Sequence, residues 1–181
     1  MSRFQGLFEV LKVVAVVFVV TIVIRIFLIQ PFVVEGSSME PDFHDHEYVL
    51  IEKISYRFHT PSRGDVIVFR YPNNPSVNYI KRVIGLPGET IHIENGLVSI
   101  NGRQLSEAYL ASGEKTFESR NTDQAYETKL SADQFFVMGD NREHSSDSRD
   151  WGPLKRNFII GRSVLVLYPT KDFQAIASPK Y

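Results

Sequence analysis

The chain opens with an apolar run that no polar alternation breaks. From Leu7 to Ile29 only Glu9, Lys12, Thr21 and Arg25 interrupt it, and between Val13 and Ile24 Thr21 is the single polar side chain. A helix that crosses a bilayer needs about 20 residues. The uncharged stretch is shorter, but Lys12 and Arg25 sit near its ends, where long stems carry a charge to the interface. Two other readings fit an apolar run: a buried strand, favoured by the valines and isoleucines, and a cleavable export signal. Cleavage requires small residues in an A-x-A-like pattern soon afterwards, whereas Arg-Ile-Phe-Leu-Ile-Gln-Pro follows. The expectation is an uncleaved, tilted span within residues 1–30. Arg3 and Lys12 before the apolar centre, against Arg25 after it, place the N-terminus in the cytoplasm. Residues 31–181 then form an extracytoplasmic domain.

Beyond Pro41 the period changes. "EYVLIEKI", "GDVIVFRY", "NYIKRVIGL", "ETIHIENGLVSINGRQL", "QFFVMGD" and "NFIIGRSVLVLYP" are short runs rich in Val, Ile, Phe and Tyr, bounded by turn residues. Asn95-Gly96 and Asn101-Gly102 suit turns with positive φ, which predicts a three-strand meander over Thr90 to Leu105. No long 3.6-residue period appears after residue 36, so the fold class is mostly β: an antiparallel, sheet or barrel-like domain behind one N-terminal helix. Residues 106–133 turn polar and are expected as a surface excursion. The closing Ser-Pro-Lys-Tyr reads as a frayed tail.

Composition narrows the function classes. The 181 residues suit one domain plus an appendage, and 43% hydrophobic with 23% charged residues is ordinary globular usage. A net charge of −1 leaves no basic footprint for nucleic acid. With no cysteine there are no disulfides, thiol nucleophiles or thiolate metal sites. His44-Asp45-His46 crowds metal-ligating types together, but its spacing matches no recurrent site, so no metal or cofactor is expected.

Polar residues concentrate beside strand ends in three places: Gly36 to Pro41, Tyr79 to Glu89, and Gly139 to Gly152. Two adjacent serines, Ser37 and Ser38, stand where the chain leaves its apolar run. A serine hydroxyl becomes a nucleophile only when a base takes its proton, and both a lysine and a histidine are available. Lys81 lies in "NYIKRVIGLPGE". Strand alternation sends it to one face with Tyr79 and Val83, and Arg82 to the other with Ile80 and Ile84. Either one of these charges is buried, which for lysine lowers the pKa, or the strand is an edge with both in water. His144, in "GDNREHSSDSRDWG", sits among Asp140, Asp147 and serines, and a Ser-His-Asp set with Ser38 is the alternative. The pattern does not choose between the bases.

Taken together, the stretches resemble the type I signal peptidases, membrane-bound serine proteases. "GSSMEP" resembles the family's nucleophile box, whose serine before methionine maps to Ser38. "RGDVIVFRYP" resembles the next box, and "YIKRVIGLPGE" the one whose first basic residue, here Lys81, is the general base. "GDNREHSSDSRDWG" resembles the last: its lysine-orienting serine matches Ser145, and its Asp-x-Arg support matches Asp147 and Arg149. Arg82 and Asp140 to Arg142 are read as structural supports. Where some members carry a serine that assists the oxyanion hole, this chain has Gly36. The resemblance implies removal of signal peptides from secretory precursors at small-x-small sites, at a lipid bilayer, through an acyl-enzyme. Phe32 to Val34 and Met39 are equally expected as pocket, membrane or core residues. Competing readings are a self-cleaving repressor-type serine-lysine protease, against which the apolar N-terminus argues, and a non-enzymatic, membrane-anchored β module.

Overall fold

The structure, a computed structural model, describes residues 2–110, 116 and 125–176. Helix α1 runs from Ser2 to Phe27. It meets the rest of the chain through β1 (Ile29–Val33). Its side chains from residue 6 to residue 22 are exposed, with apolar Val13, Val16 and Phe18 each more than half so. Among the described residues, no helix is long and apolar enough to cross a membrane.

The body is antiparallel β, as the short alternating runs predict. The strands after β1 are β2 (Tyr48–Glu52), β3 (Val66–Tyr71), β4 (Asn74–Gly85), β5 (Thr90–Glu94), β6 (Leu97–Ile100), β7 (Arg103–Gln104), β8 (Tyr126–Lys129), β9 (Gln134–Met138), β10 (Leu154–Lys155), β11 (Ile159–Tyr168) and β12 (Gln174–Ala175). The larger sheet has the order β1-β2-β11-β3-β4-β9-β10, with β12 beside β11. Its end strands β1 and β10 each have one neighbour, so among the described residues no pairing closes it into a barrel. A second sheet, β7-β6-β5-β8, holds the meander. Both hairpin turns there form as expected, with Asn95 at φ 52° and Asn101 at φ 51°.

Side-chain alternation on β3 places the core. Val66 and Val68 pack with Val34, Met39 and Phe43 on one face, while Ile67 and Phe69 pack with Val83, Phe135 and Val137 on the other. A strand covered on both faces reads as a continuous apolar run, which is how Val-Ile-Val-Phe appears in the sequence. A third cluster joins β5 and β6 to Ile84, Phe136 and Met138.

Two expectations change. Part of the polar stretch 106–133 is sheet: β8 pairs with β5, from Thr90 opposite Lys129 to Ile93 opposite Tyr126. Glu107, Tyr109 and Thr116 from the same stretch reach a buried arginine described below, so it is not simply a surface excursion. Its residues 111–115 and 117–124, like the Ser-Pro-Lys-Tyr tail, lie outside the described residues.

Candidate active site

β1 delivers the chain to a tight loop between β1 and β2. Val34 N–H donates to Glu47 O at 2.8 Å and His46 N–H to Val34 O at 2.9 Å, which closes the loop's base. Asp45 Oδ1 accepts from Gly36 N at 2.8 Å and from His46 N at 3.1 Å, so the acid of the His-Asp-His stretch is a loop brace. Gly36 stands at φ 85°, where a β-carbon is strained, although the space beside it is open. Met39 and Phe43, fully buried, pin the loop to the core. The mixed expectation for the apolar residues here divides accordingly: Val34 and Met39 are core, whereas Phe32 and Val33 line the cleft beside Ser38.

A second loop, between β9 and helix α3 (Ser148–Trp151), is tied onto the first. Asn141 N–H donates to Ser38 O at 3.1 Å, and Asn141 Nδ2 donates to Ser37 O at 3.2 Å. Gly139 makes this approach possible. A β-carbon there would lie 2.4 Å from Ser38 O and 2.2 Å from Ser145 Oγ, distances that no real β-carbon shows.

Lys81 reaches the same point from the middle of the larger sheet. β4 lies between β3 and β9, with Ile67 opposite Lys81 and Val66 and Met138 opposite Arg82. The edge-strand reading is therefore excluded, and both charges are buried. Lys81 Nζ lies 2.6 Å from Ser38 Oγ and donates to Ile80 O at 2.9 Å. Burial pushes its pKa down to about 8; Asp147 and Asp140 pull the other way, and Arg149 reinforces the lowering. An amine near neutrality at hydrogen-bond distance from a hydroxyl can take the hydroxyl's proton.

Arg82, on the opposite face, is fully engaged. It donates to Asp140 Oδ1 at 2.8 Å and Oδ2 at 2.6 Å, to Gly64 O at 3.0 Å and to Asp42 Oδ2 at 2.7 Å. Arg142 donates to Gly139 O at 3.0 Å and to Glu107, Thr116 and Tyr109. Asp147 caps α3 and clamps Arg149, whose Nε and NH2 each donate to it at 2.8 Å. Burial works to raise the Asp147 carboxyl, but Arg149, Gly139 N and the nearby Ser145 outweigh it and hold it below the usual carboxylate range. These pairs fix the loop carrying Ser145. Asn141 lies in the stretch Asp140 to Arg142 read as structural support, and its bonds to the Ser38 loop fit that role; Glu107, Tyr109, Thr116 and Asp42 escaped the sequence reading, since nothing in their local patterns says which buried arginine they meet.

Two expected residues stand apart from the serine-lysine contact. Ser145 is buried, but its Oγ completes no hydrogen bond, to Lys81 or to any other group; it abuts Gly139, and its hydroxyl is among the groups that lower the Asp147 carboxyl. His144 is exposed, and its Nδ1 lies 3.1 Å from Asn141 Oδ1. Among the described residues no His, Asp and Glu cluster is close enough to hold a metal ion. The cleft that opens on Ser38 and Lys81 has a volume of about 460 Å³ and runs between β1, at Phe32 and Val33, and the Ser76–Ile80 part of β4.

The family model for signal peptidase, peptidase S26, matches residues 7–168. A signal peptidase I of Leptolyngbya laminosa is 39% identical over 180 residues, covering 96% of this chain and 85% of that protein. Signal peptidase I S of Bacillus subtilis (strain 168) is 35% identical over 178 residues, covering 96% and 95%. A solved signal peptidase I from Enterococcus faecalis V583 is 34% identical, covers 60% of this chain and 97% of that chain, and has a TM-score of 0.46. With the match running through the loops that hold Ser38 and Asp147 and the strand that holds Lys81, the chain belongs to the signal peptidase family, peptidase S26.

Proposed function

We propose that Ser38 is the nucleophile and Lys81 the general base of this serine peptidase, and that they cut signal peptides from secretory precursors. The observation that carries the assignment is the 2.6 Å contact between Lys81 Nζ and Ser38 Oγ. Neutral Lys81 takes the Ser38 proton as Oγ attacks the scissile carbonyl. The protonated amine then returns that proton to the leaving nitrogen, and the peptide C–N bond breaks to leave an ester on Ser38. In the second half Lys81 takes a proton from water, the hydroxide adds to the ester, and the proton returns to Ser38 as the acyl group leaves.

The supporting roles follow from position. Asp147 and Arg149 brace the loop, and Ser145, packed where that loop meets Ser38, acts as the positioning residue by turning its hydroxyl to the Lys81 amine when substrate is bound. The Ser38 backbone N–H is one oxyanion donor, and the open space beside Gly36 leaves room for a second to approach. An extended peptide fits the cleft between the outer edge of β1 and the Asn74–Ile80 stretch of β4, which β9 does not pair. Alternate side chains of such a strand face the cleft floor, which suits small-x-small cleavage sites.

Exposed apolar α1 supports a lipid partner: residues 1–30 anchor the chain with the N-terminus in the cytoplasm, and residues 31–181 form the extracytoplasmic catalytic domain. A shared bilayer raises the local concentration of precursor at Ser38.

A labelled precursor with an A-x-A site, incubated with the detergent-solubilised chain and with its Ser38→Ala and Lys81→Ala variants, tests the assignment. Mass spectrometry should find a cut after the second small residue with the unaltered chain alone. Equal cutting by Lys81→Ala sinks the base assignment. No cutting by any of the three favours the non-enzymatic β module.

A further inference from the structure

The peptide unit that joins Ser37 to Ser38 is held from its carbonyl side. Glu40 N donates to Ser37 O at 3.1 Å, a turn bond inside the loop, and Asn141 Nδ2 donates to the same oxygen at 3.2 Å from the neighbouring loop. The next carbonyl, Ser38 O, accepts from Asn141 N at 3.1 Å. A trans peptide is planar, with its N–H and C=O pointing to opposite sides, and this one is trans. Fixing the direction of Ser37 O therefore fixes the line along which Ser38 N–H points. Among the described residues no group accepts from that N–H.

Asn141 is itself mounted on buried ion pairs. Asp140, before it, accepts from Arg82 at 2.8 and 2.6 Å, and Arg142, after it, donates to Gly139 O and to Glu107 and Tyr109. The far end of the side chain sets which way the amide faces. Asn141 Oδ1 accepts from His144 N at 3.3 Å and lies 3.1 Å from His144 Nδ1, which leaves Nδ2 for Ser37 O. The bond from the His144 backbone keeps that orientation without the ring. Because Arg82 follows Lys81 on β4, one strand supplies the base and, through Asp140, the frame of Asn141.

Gly36, two positions before Ser38, brings no hydroxyl to an oxyanion, so Ser38 N–H is the donor that this loop provides. A hydrogen bond weakens steeply as its angle falls to about 120°, and a donor speeds reaction only if it is already aimed where charge develops. The turn bond from Glu40 moves with the loop and cannot set that aim. The bond from Asn141 refers the peptide unit to the sheet that carries Lys81.

We propose that Asn141 is a positioning residue that aims the Ser38 N–H at the oxyanion. The role rests on the reading of Ser38 as the nucleophile. In both halves of the reaction the carbonyl carbon becomes tetrahedral at Ser38 Oγ and its oxygen takes the negative charge, so the aim of this one N–H acts twice.

Asn141→Leu and Asn141→Ala remove the amide and keep the residue 141 N–H on Ser38 O, so the two loops stay joined. Three readings are taken on each variant: steady-state cutting of a soluble A-x-A peptide, binding of the matching peptide aldehyde, and binding of the matching alcohol. Ser38 Oγ adds reversibly to the aldehyde carbon and leaves a tetrahedral oxyanion; the alcohol forms no adduct. Both variants should lose roughly 10- to 100-fold in kcat, short of the scale of deleting an oxyanion donor outright, with KM unchanged. Aldehyde affinity should fall by the same factor, while alcohol affinity holds and reports a folded cleft. The acid limb of the pH profile should stay in place. A loss carried by KM, or shared by aldehyde and alcohol, makes Asn141 a support of cleft shape and overturns the role. A displaced acid limb overturns it in favour of an effect on Lys81, and unaltered kcat overturns it outright. An aldehyde that binds the unaltered chain no tighter than the alcohol overturns the Ser38 reading, and this role with it.

Discussion

Gly139 and Ser38 touch through the one place where neither has a side chain: a β-carbon on Gly139 would stand 2.4 Å from the Ser38 carbonyl oxygen. Backbone cannot yield there as a side-chain tip can. Gly139→Ala should therefore displace the Ser38 loop and lower kcat/KM by about 100-fold, the scale of a misplacement near 1 Å. Adding Ser145→Ala removes Ser145 Oγ but leaves the carbonyl at 2.4 Å and the β-carbon of residue 145 at 2.5 Å, so the double variant should stay slow. Recovery in the double variant, measured by peptide hydrolysis, would assign the defect to Ser145 instead.

The low pKa of Lys81 sets the pH profile. With its amine at about 8, kcat/KM should rise with pH through that value and level off above it. Lys81→Arg replaces the amine with a guanidinium that does not deprotonate, and should cost about 100 to 10,000-fold at every pH. A flat profile from pH 6 to 10 in the unaltered chain would contradict this.

The same shift appears in stability. Unfolded lysine titrates near 10.5 and folded Lys81 near 8, so between these values the unfolded chain holds the extra proton. Stability should rise with pH across that window, flatten above it, and be flat again below about 8, where both states are protonated. At about 1.4 kcal/mol per unit, the rise amounts to a few kcal/mol. Lys81→Met should lack it, as denaturant midpoints at the two ends of the window will show.

Asp147→Asn should act twice. It leaves Arg149 buried without its carboxylate, which costs roughly 3–5 kcal/mol. It also removes the largest charge that raises the Lys81 pKa, so the acid limb of the pH profile should move down. A limb that stays in place would show that Asp147 acts on structure alone.

His144→Ala should change kcat/KM by less than about twofold, because the ring is exposed and contacts Asn141. A large loss in steady-state assays would restore the histidine as base.

The sequence reading succeeded where the cause is local. Asn95-Gly96 and Asn101-Gly102 carry their own turn chemistry, and the meander needs nothing else. It stopped where the cause is distant. Whether Lys81 is buried depends on β9, whose Met138 pairs with Arg82 from far along the chain; the alternation of β4 alone fits an edge strand as well. Glu107 and Thr116 sit in a polar stretch, and only the arrival of Arg142 makes them interior residues. The resemblance named Ser145, but that its hydroxyl stands buried and unbonded was not legible in the sequence.

Lys81 and Arg82 are neighbours in sequence and opposites in role, one a group that can lose its proton and the other a permanent cation held by Asp140 and Asp42. Strands repeat every two residues, so sliding β4 by one position would swap them. The nucleophile would then meet a guanidinium, and an amine would inherit two carboxylates. Misregistration of this strand would leave a compact, hydrogen-bonded sheet with no working chemistry, so correct pairing with β3 and β9 is itself a proofreading step that separates an active peptidase from an inert look-alike.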